Sequence, residues 1–307
     1  MSTGQYYLFK PDGSVDIYHM LNQLTLVMQK LKIAQLKKAA AFLCFSLFIS
    51  LAFSQHIGTA DSLFHAGYYH KALLEYSLAA PGIDNTIKIG SCITEMELPG
   101  PLDSIAIILK ATETQDPTRA VRVAVLNSKI SFLRNELEEA LSQMARAKAL
   151  AKKTNGLTWE DTLEIQLTDA RITVWFDQAE GLLQSLTSLE LILRKLPQDD
   201  IQVKVAQARL FHEMSIVASM EGKAGLSIQY TEKAAGYLQG INHPVAYRVM
   251  ARKAKQLEQQ GKKREALELM EQATATARTF YREESPHITS CMLQEGYLTD
   301  LNGDLDK

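Results

Sequence analysis

Small side chains recur along this chain at intervals that paired helices require. In the stretch beginning at His243, Ala254, Gly261, Ala266 and Ala273 are separated by larger apolar residues at Leu257 and Met270. Two helices that cross closely admit only Gly or Ala where their backbones approach. A glycine between them ends the first helix by tolerating a left-handed conformation. The same spacing returns near the start, at Ala60, Leu63, Gly67, Tyr69, Ala72, Tyr76 and Ala79. It returns again at Asn135, Leu137, Ala140, Met144 and Ala147, at Gly222 with Ala234, and at Gly296 with Gly303. Two weaker units lie between, one turning at Gly100 and one near Asp177. Unit starts fall near residues 53, 86, 121, 163, 208, 247 and 289. Apolar residues recur at three and four throughout, without the alternation of a strand, and breakers such as Pro81-Gly82, Asp116-Pro117 and His243-Pro244 punctuate the chain. The pattern predicts an all-α fold, an α-α superhelical solenoid of about seven stacked helix-turn-helix hairpins over residues 55–307, the last incomplete.

These units resemble the tetratricopeptide repeat. HPVA at 243–246 and SPHI at 285–288, opening successive units, resemble in particular the 42-residue variety of kinesin light chains and many bacterial repeat proteins. Lys253 and Glu295 depart from the pattern, standing where an apolar residue is usual. The resemblance implies a right-handed superhelix in which the first helix of each hairpin (helix A) lines a concave groove. That groove would take an extended peptide or a partner helix. By position, Asn127, Lys129, Arg134, Arg252, Gln256 and Gln260 are the candidate groove contacts. An elongated array of this kind implies that hairpins touch only their neighbours, and that Cys92 and Cys291 lie apart.

Charge and composition exclude several classes. The formal net charge is −2 with no strong basic excess, so the footprint of a nucleic-acid binder is absent. Three cysteines without a CxxC pair make neither a disulfide framework nor a zinc site. The N-terminal segment reads as an address. Lys30, Lys32, Lys37 and Lys38 precede the uncharged run 39–53, which ends in small residues at Ala52 and Ser54. Those are the three parts of an export signal. Some 15 apolar residues are short for a span, which needs about 20. The expectation is a signal over 28–54 cleaved near Ser54-Gln55, preceded by an extension (1–27) that is unordered or untranslated, with initiation at Met28. The exported chain would be periplasmic or envelope-associated. The alternative is an anchor formed by residues 39–57, the only contact with membrane.

Catalytic constellations are missing from the sequence. There is no HExxH, no GxGxxG and no GxxxxGK[ST]. His287 and Cys291, four apart, share a helix face, but nothing supplies the third group that activates a nucleophile. The expectation is therefore a non-enzymatic interaction scaffold without cofactor or metal, binding a protein or peptide and no nucleic acid. The competing expectation is the recognition part of a longer protein whose effector (a caspase-like peptidase, a kinase or a DNA-binding module) follows residue 307.

Overall fold

A computed structural model describes residues 55–98 and 115–303, together with positions 101, 104–106 and 109. The expected N-terminal extension and the signal or anchor segment lie outside the described residues, apart from the anchor's last three positions, 55–57, which are helical. The helices are α1 (residues 55–65), α2 (Tyr69–Leu78), α3 (Ile83–Glu95), α4 (Pro117–Leu133), α5 (Leu137–Ala151) and α6 (Trp159–Trp175), followed by α7 (Leu182–Leu193), α8 (Ile201–Met220), α9 (Ala224–Tyr237), α10 (Val245–Gln259), α11 (Lys263–Arg278) and α12 (Pro286–Leu301). The described positions between 101 and 109 are helical as well, and complete the hairpin opened by α3. Among the described residues there is no strand.

Each A helix after α3 begins on a side-chain or proline signal. The Asp116 carboxylate accepts from the Thr118 and Arg119 amides with Pro117 in the first turn. Thr158 and Asp161 form a reciprocal capping box. Asp200 caps α8, Pro244 stands at the entry of α10, and Ser285 caps α12 ahead of Pro286. These groups satisfy amides that a helix start leaves without partners. The B helices α2, α5, α9 and α11 lack such a side chain and are launched instead by one shared turn. In it a left-handed residue is followed by one near φ −85°, ψ 60°, as at Tyr68, Glu136, Lys223 and Lys262.

Left-handed residues stand at all seven A-helix ends: Gly67, Glu97, Asn135, Asp177, Gly222, Gly261 and Gly303. At six of them the next amide reaches back five residues to a carbonyl, as in Tyr68 to Leu63 (2.9 Å), Glu136 to Ser131 (2.8 Å) and Lys262 to Leu257 (2.9 Å). This is the Schellman closure, which removes orphan carbonyls from the helix end. In the second hairpin Glu97 takes the left-handed position at the end of α3. Gly100 lies outside the described residues.

Close A–B crossings fall where the small residues predict them. Ala60, Ala72, Ala79, Ala140, Ala147, Ala254, Ala266 and Ala273 are all buried, and Tyr76, Met144 and Met270 fill the spaces beside them. Each such large side chain contributes roughly 1.5–3 kcal/mol by leaving water. Gly261 and Gly303 act through their backbone, being exposed turn residues. Gly296 is exposed on α12 and crosses no described helix.

The expectation of neighbour-only contact fails at one place. A single apolar cluster holds Ala60, Tyr69, Tyr76, Cys92 and Met96 from the first two hairpins with Tyr247, Phe280, Tyr281, Ile288 and Cys291 from the last two. The superhelix therefore winds far enough for its early and late hairpins to meet along a seam. Cys92 and Cys291, expected apart, share this cluster as buried free thiols.

Candidate functional site

The winding leaves a lumen along its axis, walled by A helices. One chamber of about 230 Å³ is lined by Phe64, Ile87, Val125, Trp159 and Val205 on its apolar side and by Glu95, Lys129, Glu164 and Arg209 on its polar side. A second, of about 260 Å³, shares Glu95 and Lys129 and adds Phe132, Thr168, Arg171, His212, Glu213 and Arg248.

A chain of opposite charges runs between them, one residue from each of five successive A helices. Lys129 Nζ on α4 lies 2.5 Å from Glu164 on α6 and 3.6 Å from Glu95 on α3. Arg209 on α8 reaches Glu164 at 2.6 Å, and Arg248 on α10 approaches Glu95 at 3.9 Å. Burial alone would push the Glu95 carboxyl up, but Lys129, Arg209 and Arg248 outweigh it and hold the group at about 2. Glu164 is held well below the usual carboxylate range, against its own burial, by Arg209 and Lys129. Three cations thus surround two carboxylates.

The second chamber also holds polar atoms without partners. Among the described residues neither Thr168 Oγ1 nor His212 Nδ1 has a hydrogen-bond partner. Burial lowers His212 to about 4, assisted by Arg248, Arg171 and Arg252 and opposed by Glu213, so the ring is neutral near pH 7. Glu213 beneath it takes the Arg171 guanidinium at 2.7 Å.

Of the six candidate groove residues only Lys129 faces the lumen. Arg252 and Gln256 instead enter the interface between α10 and the α8–α9 hairpin. Gln256 Nε2 donates to Ser227 (3.0 Å) and Thr231 (2.9 Å), and Arg252 donates to the Ser215 carbonyl (3.1 Å) and to Ser227 Oγ (3.0 Å). Asn127 is half-buried and lines neither chamber, while Arg134 and Gln260 are exposed caps at the ends of α4 and α10. Trp159 packs against the core, whereas Trp175 is 62% exposed, its ring edge-on to Phe132 at 5.8 Å. The lumen residues that the sequence did not single out are Glu95, Glu164, Arg209 and Arg248. Their place on the helix drifts, since Glu95 is the last residue of α3 and Arg248 the fourth of α10. A fixed repeat register cannot select them.

His287 and Cys291 form no reactive pair. Both ring nitrogens of His287 are engaged elsewhere, and burial pushes the Cys291 thiol up to about 11. Among the described residues no group of three His, Cys, Asp or Glu is placed to hold a metal ion, and no helix is long and apolar enough to cross a membrane.

No protein-family model matches the chain, and no curated protein sequence does. Solved structures do. A Rap protein complexed with Competence and Sporulation Factor superposes with a TM-score of 0.61 at 9% identity, over 84% of this chain and 73% of that one. The TPR-like repeats of a kinesin light chain from Podosopora anserina give 0.46 at 19% identity, over 62% and 90%. The TPR2AB domain of yeast Sti1 in its pHSP90 complex gives 0.33 at 13%, over 81% and 98%. The fold is a tetratricopeptide-repeat solenoid. In such a solenoid the A helices carry the inner surface, and here they carry the charge chain with both chambers.

Proposed function

We propose that the chain is a non-enzymatic interaction scaffold that takes an extended peptide, or one edge of a partner helix, in the lumen. One observation carries the reading. The charged chain of five A helices is flanked by apolar walls and by two polar atoms, Thr168 Oγ1 and His212 Nδ1, that lack a partner among the described residues. A buried polar group without a hydrogen bond costs about 1–3 kcal/mol, and a peptide backbone offers both a donor and an acceptor to relieve it. The chambers suit side chains and not a folded domain. That the Rap protein of the same fold is held in complex with Competence and Sporulation Factor supports the reading.

A peptide selected from a random displayed library on the full chain, titrated by calorimetry, tests it. Lys129→Glu and Thr168→Val should each weaken binding about tenfold, the equivalent of roughly 1.4 kcal/mol. Binding unaffected by both substitutions would remove the lumen from the account. Export is part of the proposal and rests on the basic, apolar and small-residue segment at 29–54. A mature chain that begins at Gln55 is the result expected from N-terminal sequencing of the secreted fraction.

A further inference from the structure

The seam between early and late hairpins is made with imidazoles. Gly67, at the first A–B turn, lies against Pro244, where a Cβ would stand 2.0 Å from Pro244 Cδ. The Tyr68 and Phe280 rings are 5.2 Å apart. Three histidines lie along the seam.

His70 on α2 meets the Arg282 guanidinium through Nε2. Arginine has donors only, so this nitrogen must keep its lone pair. His243, beside Gly67, accepts the Val245 amide with Nδ1 at 3.2 Å. His287 on α12 is buried, and its Nε2 donates to the Glu95 carbonyl at 2.9 Å, across 192 residues of sequence. Because a carbonyl only accepts, the proton sits on Nε2 and Nδ1 is the acceptor. Nδ1 takes the Tyr247 hydroxyl at 2.9 Å, and that oxygen in turn accepts from Arg248 Nε at 3.2 Å. Each ring is therefore held in its neutral form, His70 and His287 by contacts across the seam and His243 by the turn that it makes with Val245 beside Gly67.

We propose that the seam is a pH-operated clasp: neutral His70, His243 and His287 hold the first two hairpins against the last two, and protonation of these rings parts them. The chamber wall formed by Phe64, His65 and Tyr69 faces His243 across this contact, so parting it opens the lumen. That last consequence rests on reading the lumen as the ligand chamber; the clasp does not.

The surrounding charges favour opening. Arg209 from α8, Arg248 from α10 and His65 from α1 face His243, with Glu95 opposing them. Around His287, Arg248 is opposed by Glu95 and by Glu97, whose carboxylate lies 3.8 Å from Nδ1, with Tyr247, Tyr281 and Cys291 also near. Among the described residues, Arg282 is the charged group that acts on His70. Glu95 is already held by Lys129 and Arg248. Burial, then these arginines, lower all three rings, His243 to about 3. Groups lowered in the closed form bind fewer protons there than in the open form, where they return toward about 6.5. Closure is thus complete above that value and is lost as pH falls below it.

Small-angle scattering and amide exchange on the full chain without ligand, at about pH 7.5 and about pH 5, decide the matter. The expected result is a larger radius of gyration at the lower pH. Exchange in α2 and α12 should quicken about tenfold for each ring displaced by one unit. The triple variant H70Q/H243Q/H287Q, which keeps a donor and an acceptor at each place but does not titrate, should stay compact at both. Should it fail to fold, H70Q alone, at an exposed position, should flatten the pH dependence by one proton. A wild type equally compact at both pH values overturns the clasp, as does a variant that opens along the wild-type profile. Because no ligand is present, a peptide that fails to bind speaks only against the lumen reading.

Discussion

Gly67 and Gly261 occupy the same place in their hairpins, with φ of 81° and 79°, yet they are not equivalent. A Cβ at Gly261 meets open space, whereas at Gly67 it would overlap Pro244. Gly261→Ala should destabilise by about 1 kcal/mol, the penalty of a left-handed alanine. Gly67→Ala adds the clash with a rigid proline ring and should exceed it by about 1–3 kcal/mol. Urea unfolding of both variants makes the comparison; equal losses would mean that the seam gives way freely. The converse applies where non-glycine residues hold this conformation. Glu97→Gly should stabilise by about 1 kcal/mol in the same assay. Five of the seven left-handed turn residues were legible because Gly and Asn advertise the conformation. Asp177 was placed only approximately, and Glu97 carries no signal of it at all.

At the scale of the helix, apolar crossings and polar inserts divide the work. The alanines at A–B crossings were readable because their spacing follows the helical period, and every one is buried. Substituting Ala266→Leu forces the α10–α11 pair apart and should lose about 1–3 kcal/mol. The polar insert around Ser215 was not readable. Ser215, Ser227 and Thr231 look like ordinary helix residues until Arg252 and Gln256 from the next hairpin reach into them. Which face of α10 turns inward depends on how one hairpin is rotated against another, and a single sequence does not encode that rotation in any local pattern. Gln256→Ala should cost about 1–3 kcal/mol, since it leaves buried hydroxyls short of a partner. Thermal unfolding checks both variants, and Gln260→Ala, at an exposed cap, serves as the silent control.

For the molecule as a whole, the helical-repeat class was legible and the closure was not. Helical period and turn residues are local signals, whereas closure accumulates from small rotations at each interface. Closure also sets the response to acid. Glu95, Glu164 and Glu213 are held below their ordinary values by Lys129, Arg209 and Arg171, so each contributes stability above about pH 4.5 that is lost as pH falls through its folded value. His212, lowered to about 4, contributes stability above about pH 6.5 that is lost as pH falls toward 4. Acid unfolding should therefore show two stages, the first belonging to imidazoles and the second to carboxylates. His212→Gln should diminish the first stage in a circular-dichroism titration, the part owed to His70, His243 and His287 remaining, and leave the second in place; a first stage unaltered in that variant would rule His212 out as a contributor.

Pro244 sits on Gly67 because a set number of hairpins separates them. Open arrays gain or shed units readily, since every interface is the same kind of interface. Here one additional hairpin between α3 and α10 would carry Pro244 roughly 10 Å, one helix width, past its seat. Relatives of this chain should accordingly vary in length at loops and outer ends, while the tally of hairpins between these two points stays constant.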